Sequence, residues 1–503
     1  MSFTSGKSRV TIASPLTTFG EIQVAEPQCT AWGHFVYGVN PKMFDRAEFS
    51  GGYITTETNT CVVNSSTSPS GSCVIQLRRG LSYMPGQGSI FKGTAFFTTG
   101  TANNRQLIGI GNIECGYYFG FNETNFGIFH QSSGSTEIRA LTIAAAGNTE
   151  TATITLDGKT KAVSITGGAD KNQTAYQIYK ADYSSVGNGW TTGISGSTVY
   201  FISHRSEPLT GTYGISSAAA SGTFARTQGG LSPVYSFVSQ SSWNIDPMDG
   251  RGPSRKTIDP TKGNVYSIGF QYLGFGNSFF YVENSDTGRL EMVHEIKNAN
   301  SRTSPVLINP RVSGLVASEN ALASPAVNVP VRTVSMATFN EGNFARLDPK
   351  FSESFTITVP DTAGLWKPLI ALKVANVFNG RTCYSELDLL KMVCTNNVNS
   401  NTNKSFSIAI FSGKSVSITG AVNFTPINLA ESVVYYSTLN AATQTFNGAS
   451  TAPDFTVGVS SGTVVSDLEI LDLQYGSDMT IVIACKSADA LTGTVSLNWF
   501  EQQ

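Results

Sequence analysis

The stretch VYSIGFQYLGFGNSFFYVENSDTGRLEMVHEIKNAN, residues 265–300, predicts the fold of the chain. From Tyr266 to Tyr272 every second residue is aromatic or aliphatic, which is the period of a β-strand with one buried face. A second aromatic strand begins at Phe279, a polar turn covers residues 284–288, and residues 290–296 return as a third strand. The stretch therefore predicts part of an antiparallel β-sandwich.

An earlier segment has the same character. Residues 106–111, 116–121 and 126–130 form aromatic or aliphatic strands that are interrupted by glycines. Glycines in strands are typical of curved sheets that bend and approach each other closely. We interpret the two segments as two halves of one sandwich, separated by an insertion.

These residues also carry a resemblance to a known family. Leu107–Gly111, Tyr117–Asn122 and Asn125–His130 resemble a module in virion structural proteins of large double-stranded DNA viruses and some phages, and Phe270–Gly276 with His294–Asn300 resembles its second half. The resemblance covers roughly residues 90–310, less the insertion. It implies a capsid vertex (penton), minor capsid or fibre-like component of the virion, and it implies no catalytic residues.

The composition supports an all-β chain with many turns. Only 14% of the 503 residues are charged, against about 25% in typical soluble proteins, whereas 40% are hydrophobic and 11% aromatic, which is enough to build cores. A net charge of −2 does not provide the basic surface that nucleic acids require. We therefore expect other partners: further copies of the chain in a homo-oligomer, other capsid proteins, and a host-surface glycan or receptor.

The sequence predicts no membrane span, because no run approaches the roughly 20 apolar residues that cross a bilayer. The first ten residues also lack the apolar run of a secretory signal. These features predict synthesis in the host cytoplasm and assembly into the particle.

The predicted fold class is all-β and multidomain: an antiparallel β-sandwich with a small α+β insertion, followed by a C-terminal jelly-roll-like sandwich. The predicted segments are an N-terminal arm or small β-element (1–85), a split β-sandwich (86–137 and 226–308), an inserted β-β-α-β-β domain (138–225), an extended linker (309–331) and the C-terminal domain (332–503).

Two helices are predicted. One begins at Asp170, which forms a capping-box pattern with Gln173, and its inward face is predicted to carry Ala175, Ile178, Tyr179 and Tyr183. The second is a short helix at residues 384–393 in the C-terminal domain. The last predicted strand, residues 493–500, alternates Val495, Leu497 and Trp499 inward with polar residues outward.

The four histidines show no metal-ligand spacing. His130 and His294 end corresponding strands, so they are either two polar strand ends or a pair that meets in space.

Cys61 and Cys73 flank one loop, and they are either two free thiols or a disulfide. Asp246 and Asp249 fit either a solvated loop or a weak Ca²⁺ site.

Carboxylates near the first stretch raise the possibility of a glycosidase, since sandwiches can host two catalytic acids. The candidates are Glu283, Asp286, Glu291 and Glu295. Asp is favoured in turns for backbone reasons, and the glutamates fit an outward strand face. We therefore predict no enzyme activity, no catalytic residue, no metal and no cofactor.

Three aromatic residues are the candidate interface or ligand surface: Tyr272, Phe275 and Tyr281. Core packing is the default interpretation of these residues, and a subunit contact or a glycan-stacking platform are the alternatives. The neighbouring glycines favour a subunit contact over a sugar site, because they let a partner backbone approach. The preferred hypothesis is a virion structural protein that forms a symmetric oligomer and contributes to host attachment. The alternative is a carbohydrate-binding adhesin or a glycan depolymerase.

Overall fold

The computed structural model describes residues 2–5, 8–11, 25–81, 83–166, 170–187, 189–321, 327–342, 348–397, 404–413, 416–420, 422–448, 454–457, 463–468, 474–477 and 479–502. Almost all of the regular structure in these residues is antiparallel β, which confirms the predicted fold class.

The first part of the chain forms β1 (Ser2–Ser5), β2 (Ser8–Thr11), β3 (Pro27–His34), β4 (Phe44–Phe49), β5 (Tyr53–Glu57), β6 (Thr60–Asn64), β7 (Ser72–Leu77), β8 (Gly88–Phe97), β9 (Asn104–Gly111), β10 (Gly116–Asn122) and β11 (Asn125–Ser135). The middle part forms β12 (Ile138–Ala145), β13 (Glu150–Leu156), β14 (Lys159–Ile165), α1 (Lys171–Lys180), β15 (Trp190–Ser195), β16 (Thr198–Ser203), β17 (Gly214–Ser216), β18 (Ser221–Gln228), β19 (Leu231–Ser239), a short 3-10 helix (Gln240–Ser242), β20 (Asn264–Gln271), β21 (Ser278–Asn284), β22 (Arg289–Ile296), β23 (Ser313–Asn320), β24 (Pro330–Thr333) and β25 (Ser335–Glu341).

The last part forms β26 (Lys350–Val359), β27 (Lys367–Val374), β28 (Val377–Phe378), β29 (Arg381–Thr382), β30 (Glu386–Asn396), β31 (Phe406–Gly413), β32 (Ser417–Ile418), β33 (Thr425–Pro426), β34 (Val434–Thr438), β35 (Phe446–Asn447), β36 (Phe455–Val457), β37 (Thr463–Asp467), β38 (Gln474–Gly476), β39 (Thr480–Ser487) and β40 (Leu491–Gln502).

The chain folds into two compact units, each assembled from separate stretches of sequence. Unit 1 comprises Met1–Asn112, Gly116–His130 and Ser236–Arg346, and unit 2 comprises Ile113–Cys115, Gln131–Tyr235 and Leu347–Gln503.

Unit 1 is a sandwich of two antiparallel sheets. A seven-stranded sheet runs in the order β19-β11-β10-β9-β23-β7-β4, and a nine-stranded sheet runs β22-β21-β20-β8-β24-β6-β5, with β25 on β8 and β3 on β25. The sheets pack through aromatic rings: Phe119 lies 4.9 Å from Tyr266 and 5.5 Å from Phe280, and Tyr117 lies 5.8 Å from Phe270. The two aromatic segments of the sequence thus build one sandwich, as predicted.

Glycines between these aromatic residues allow neighbouring strands to approach. A Cβ atom at Gly109 or Gly120 would meet the backbone oxygen of Tyr117 or Gln106 on the paired strand. The glycine–aromatic pattern of β9 and β10 therefore follows from close backbone contact on one side and core packing on the other.

Several predicted segments are corrected at the level of strands. Residues 309–331, predicted as a linker, contain β23, which pairs with β9 on one side and β7 on the other. Residues 1–85, predicted as an arm, supply β3 to β7 to the two sheets of unit 1, and residues 332–341 supply β25, which pairs with β8. Long-range pairing, which local composition does not reveal, decides these cases. The remaining domain boundaries stay predictions.

Unit 2 contains the inserted segment and the C-terminal strands. The segment forms two sheets, β15-β16-β12-β18 and β14-β13-β17, together with α1. Asp170 is the N-cap of α1, so the helix begins where it was predicted. Its Oδ1 accepts a hydrogen bond from the backbone N–H of Asn172 at 2.9 Å, and not from Gln173 as the capping-box pattern predicted. Ala175 and Ile178 are buried, Tyr179 is half-buried, and Tyr183 is buried but lies beyond the helix.

The inserted segment shares a hydrophobic core with C-terminal strands. Ile178 and Phe201 belong to the same buried cluster as Phe411 and Val482, and Lys180 of α1 donates to the backbone oxygen of Ile418 at 3.4 Å. The segment is thus an insertion in sequence that packs onto the C-terminal sandwich.

The C-terminal sandwich has a five-stranded sheet (β26-β40-β30-β37, with β38 on β30) and a six-stranded sheet (β33-β34-β27-β39-β31-β36). Val495, Leu497 and Trp499 are completely buried, which confirms the predicted alternation of β40. The predicted helix at 384–393 is wrong, because these residues lie in or next to β30, which pairs with both β40 and β37.

Candidate functional site

The nine-stranded sheet of unit 1 has an outer face opposite the aromatic core. One cross-strand row on this face joins five strands: Tyr281 pairs with Ser267, Ser267 with Lys92, Lys92 with Ala337, and Ala337 with Trp32. Neighbouring strands are about 4.8 Å apart, so this outer row extends roughly 19 Å. It places a long exposed cation between two aromatic ends.

A second row on the same face is largely apolar. Its register runs from Phe339 through Ile90 and Gly269 to Phe279, and Phe279 pairs with Glu295. Apart from Gly269, which has no side chain, these residues keep half-buried side chains. Within the described residues, the outer face is therefore an apolar surface whose rings remain only half-buried.

The side chains of the two rows lean on one another. The Tyr281 ring extends over Gly269, with a ring carbon 3.9 Å from the position that a Cβ atom would occupy. The Lys92 ammonium lies 5.5 Å from the centroid of the Phe339 ring, in a cation–π arrangement. These contacts hold Tyr281 and Lys92 against the sheet.

Carboxylates flank one end of this face. Burial raises the pKa of Tyr281, and the nearby carboxylates of Glu341 and Glu295 raise it further. Glu295 accepts a hydrogen bond from Asn277 at 2.9 Å and lies 4.0 Å from the Lys297 ammonium. The face thus combines apolar rings, one central cation and two carboxylates.

The three aromatic residues predicted from the sequence fall in two places. Tyr281 belongs to the outer row, whereas Tyr272 and Phe275 lie in the loop between β20 and β21. The Tyr272 hydroxyl donates to the Leu307 oxygen at 3.0 Å and its ring packs edge-on against Tyr83 at 5.0 Å. Phe275 is 41% exposed at the loop.

The glycines beside Phe275 are explained by the loop itself. Gly274 has a positive φ of 80°, which favours glycine, and a Cβ atom at Gly276 would collide with the backbone oxygen of Gln271. These glycines are required by the turn, so they give no support to the argument that a partner backbone approaches there.

Sequence reasoning missed a second aromatic group at the end of β3, which we call the ring ladder: Trp32, His34 and Tyr37. Trp32 is 57% exposed and Tyr37 is 93% exposed. The Trp32 and His34 rings stack with centroids 5.8 Å apart, and Tyr37 meets His34 edge-on at 6.3 Å. The sequence does contain a signal for this group, because Trp32 and His34 are two residues apart in a strand and so share one face.

The two histidines predicted at strand ends do not contact each other. His130 is buried, stacks on Tyr117 at 4.8 Å and lies 2.8 Å from the Val306 oxygen through Nε2. His294 accepts from the backbone N–H of Asn244 at 3.2 Å. Both rings pack into the aromatic core, which favours the interpretation as structural residues.

The aspartates of the proposed Ca²⁺ loop are satisfied by backbone donors. Asp246 is buried and accepts from the N–H groups of Met248 at 2.8 Å and Ser254 at 2.7 Å, and Asp249 accepts from that of Arg251 at 2.9 Å. Asp246 therefore organises the loop from inside, and the expectation of a solvated loop is wrong at this residue.

The four carboxylates considered for glycoside hydrolysis have separate partners. Asp286 pairs with Lys256, Glu291 accepts from Asn284 at 3.3 Å, and Glu295 accepts from Asn277. Glu283 is half-buried on β21, where it pairs with Leu290. Their surroundings are those of carboxylates that fix strands and turns.

Cys61 and Cys73 are buried free thiols on β6 and β7, which belong to different sheets. In the described part of the chain, no three His, Cys, Asp or Glu side chains are grouped so as to hold a metal ion. Over the same residues, no helix has the length and apolar character needed to cross a membrane.

No protein-family model matches the sequence, and no curated protein matches it. Several solved structures are similar in fold, among them the following three. The first is a peanut lectin with a nonamer peptide, which is 8% identical, with 64% of this chain and 100% of that chain covered and a TM-score of 0.25. The second is the exoplasmic/lumenal domain of VIP36 bound to Ca²⁺ and Man3GlcNAc, which is 9% identical, with 64% of this chain and 92% of that chain covered and a TM-score of 0.24. The third is a protein with a triple jelly roll fold from the turret assembly of an archaeal virus, which is 8% identical, with 96% of this chain and 98% of that chain covered and a TM-score of 0.17. At such identities and TM-scores these similarities carry no argument about function.

Proposed function

We propose that this chain is a structural protein of a viral particle, at a capsid vertex, the capsid surface or a fibre, and that it assembles as a symmetric homo-oligomer. The observation that carries the proposal is the outer face of the nine-stranded sheet. Phe279, Tyr281 and Phe339 remain half-buried there, although such rings are normally covered in an isolated subunit.

The charges on this face suit a second copy of the same chain. Lys92 lies in the outer row, and Glu295 and Glu341 lie close to Tyr281 at its far end. Opposite charges on one otherwise apolar surface allow two copies to pair cation with carboxylate while burying the rings. A low overall charge is compatible with a chain whose surface is largely covered in an assembly.

The test is the mass of the full chain in solution, measured by light scattering after size exclusion. We expect a discrete multiple of 53.5 kDa; a trimer would favour a fibre and a pentamer a vertex. The variant Phe279→Lys should release subunits, whereas the control Leu429→Lys, at a leucine that is 75% exposed in unit 2, should not. A monomer at high protein concentration would contradict the proposal.

A further inference from the structure

We propose that the ring ladder of Trp32, His34 and Tyr37 binds a neutral glycan by stacking pyranose rings on its aromatic faces. This activity goes beyond assembly and uses a different part of unit 1. The outer row and the ring ladder share Trp32 alone, whereas His34 and Tyr37 lie outside the row.

The ladder stands on a rigid base. Gly33 and Phe35 alternate with its residues and face inward, where the Phe44 ring lies directly under Gly33 and stacks on Phe35 at 4.4 Å. The strand continues its pairing with β25, since His34 is in register with Ser335 and the Phe35 N–H donates to the Val334 oxygen at 3.1 Å. A preformed platform loses little entropy on binding.

A tight turn places the third ring. The Gly38 N–H donates to the Phe35 oxygen at 3.0 Å, and Gly38 has a φ of 84°, which favours glycine. Tyr37 is thereby projected beside His34 with nearly its whole surface in solvent. A tyrosine held in this position contributes little to the core, and its ring is accessible for stacking on a ligand.

The imidazole supplies a polar contact between the two outer rings. His34 Nδ1 accepts a hydrogen bond from the Val36 N–H at 3.4 Å, which leaves Nε2–H to donate to a sugar hydroxyl. The C–H groups of a pyranose face pack against the negative faces of aromatic rings. The ladder thus offers two stacking surfaces with one donor between them.

The size of the ladder argues for a small ligand. Aromatic side chains present about 150–250 Å² each, so the exposed parts of these three residues total roughly 400 Å². A stable protein interface needs about 800 Å² on each partner. Residues 27–41, which include the ladder, contain no Lys, Arg, Asp or Glu. This disfavours single-stranded nucleic acids, since they require a basic groove, and favours a neutral glycan.

The experiment is calorimetric titration of the full chain with neutral hexasaccharides of β-1,4-glucose, β-1,3-glucose, α-1,4-glucose and α-1,6-mannose, and with an alginate hexasaccharide as the acidic comparison. We expect at least one neutral hexasaccharide to bind. Tyr37→Ala should weaken that binding at least about tenfold, the loss typical of an aromatic anchor, and His34→Ala should weaken it less. The control Tyr53→Ala, at a tyrosine 43% exposed on β5, should leave it unchanged.

Either of two binding results would overturn the inference: no neutral hexasaccharide binds at millimolar concentration, whether or not alginate binds, or Tyr37→Ala binds like the parent chain. A change in solution mass on Tyr37→Ala would also overturn it, by assigning the ladder to a subunit contact. Assembly is tested separately by Phe279→Lys, so either proposal can fail without the other.

Discussion

The ring of Phe44 occupies the space that a Cβ atom at Gly33 would need. Gly33 lies on β3 between Trp32 and His34, and Phe44 is buried at the start of β4. The ring is also stacked on Phe35, so it has little room to retreat. This contact, together with the pairing of β3 with β25, holds the strand that carries the ring ladder.

Gly33→Ala should therefore destabilise unit 1. Forcing a methyl group into a packed core costs about 1–3 kcal/mol, and the ladder should shift with the strand. Denaturant unfolding followed by tryptophan fluorescence measures the change. Gly263→Ala is the matched control, because nothing lies within 4 Å of a Cβ atom at that position. Equal unfolding free energies for the two variants would contradict this account.

A buried carboxylate organises the end of the C-terminal sandwich. Glu501 accepts hydrogen bonds from the Ser432 hydroxyl at 2.6 Å, the Val433 N–H at 2.7 Å and the Trp499 indole N–H at 2.9 Å. Glu501→Ala leaves these buried donors without that acceptor, so we expect a loss of roughly 3 kcal/mol or more in the unfolding free energy of unit 2. The control Glu353→Ala, at a half-buried position on β26, should change the free energy far less.

Glu114 should make unit 2 less stable as the pH rises. Burial raises the pKa of Glu114 to about 7, although the positive charge of Arg381 acts to lower this pKa. Between the ordinary value of 4.5 and about 7, the folded state holds a proton that the unfolded chain has lost, so stability falls as pH increases through this interval.

Glu114→Gln mimics the protonated form, so it should stabilise unit 2 above pH 7 and have little effect below pH 4.5. Melting temperatures of the parent and variant across this range provide the measurement, with Glu353→Gln as the control. A stabilisation that is the same at every pH would show that the carboxyl is not the titrating group.

The fold could be predicted from the sequence where the residues of a single element show by themselves which face is buried or where the element begins. The alternation of residues 265–271 and 493–500 reports one buried and one open face, and Asp170 reports a helix start; all three were predicted correctly, although the first strand ends at Gln271, before Tyr272. In β30 the leucines at 387 and 390 fit a helical spacing as well as a strand, and only pairing with β40, about a hundred residues away, decides between them.

The candidate site was predictable only in part for the same reason. Tyr281 lies in a strongly aromatic stretch and was singled out from it. Trp32, Lys92 and Ala337 are far from it in sequence, and they join its row only through the register of four strand pairs. Register depends on the whole sandwich, because a slip of one residue would turn every side chain to the other face.

Mild acid should weaken unit 1 through His130. Burial lowers the pKa of His130 to about 4; the Val306 oxygen opposes this shift and the Arg302 guanidinium adds to it. In the neutral ring Nε2–H donates to Val306 and Nδ1 faces the Arg302 amino group at 3.3 Å. Protonation would place a second cation beside Arg302 inside the core.

Between the ordinary value of 6.5 and about 4, the unfolded chain binds a proton that folded His130 does not. Stability is therefore complete above pH 6.5 and is lost as the pH falls through this interval. His130→Gln should be less stable than the parent at pH 7, because it loses the stack on Tyr117, but it should lose less stability on acidification. Burial also lowers the pKa of His294, so part of the acid sensitivity should remain. The measurement is the unfolding free energy of unit 1 from pH 7 to pH 4. The control variant is His34→Gln, at the histidine of the ring ladder. Parallel curves of free energy against pH for His130→Gln and the parent chain would refute the role of His130.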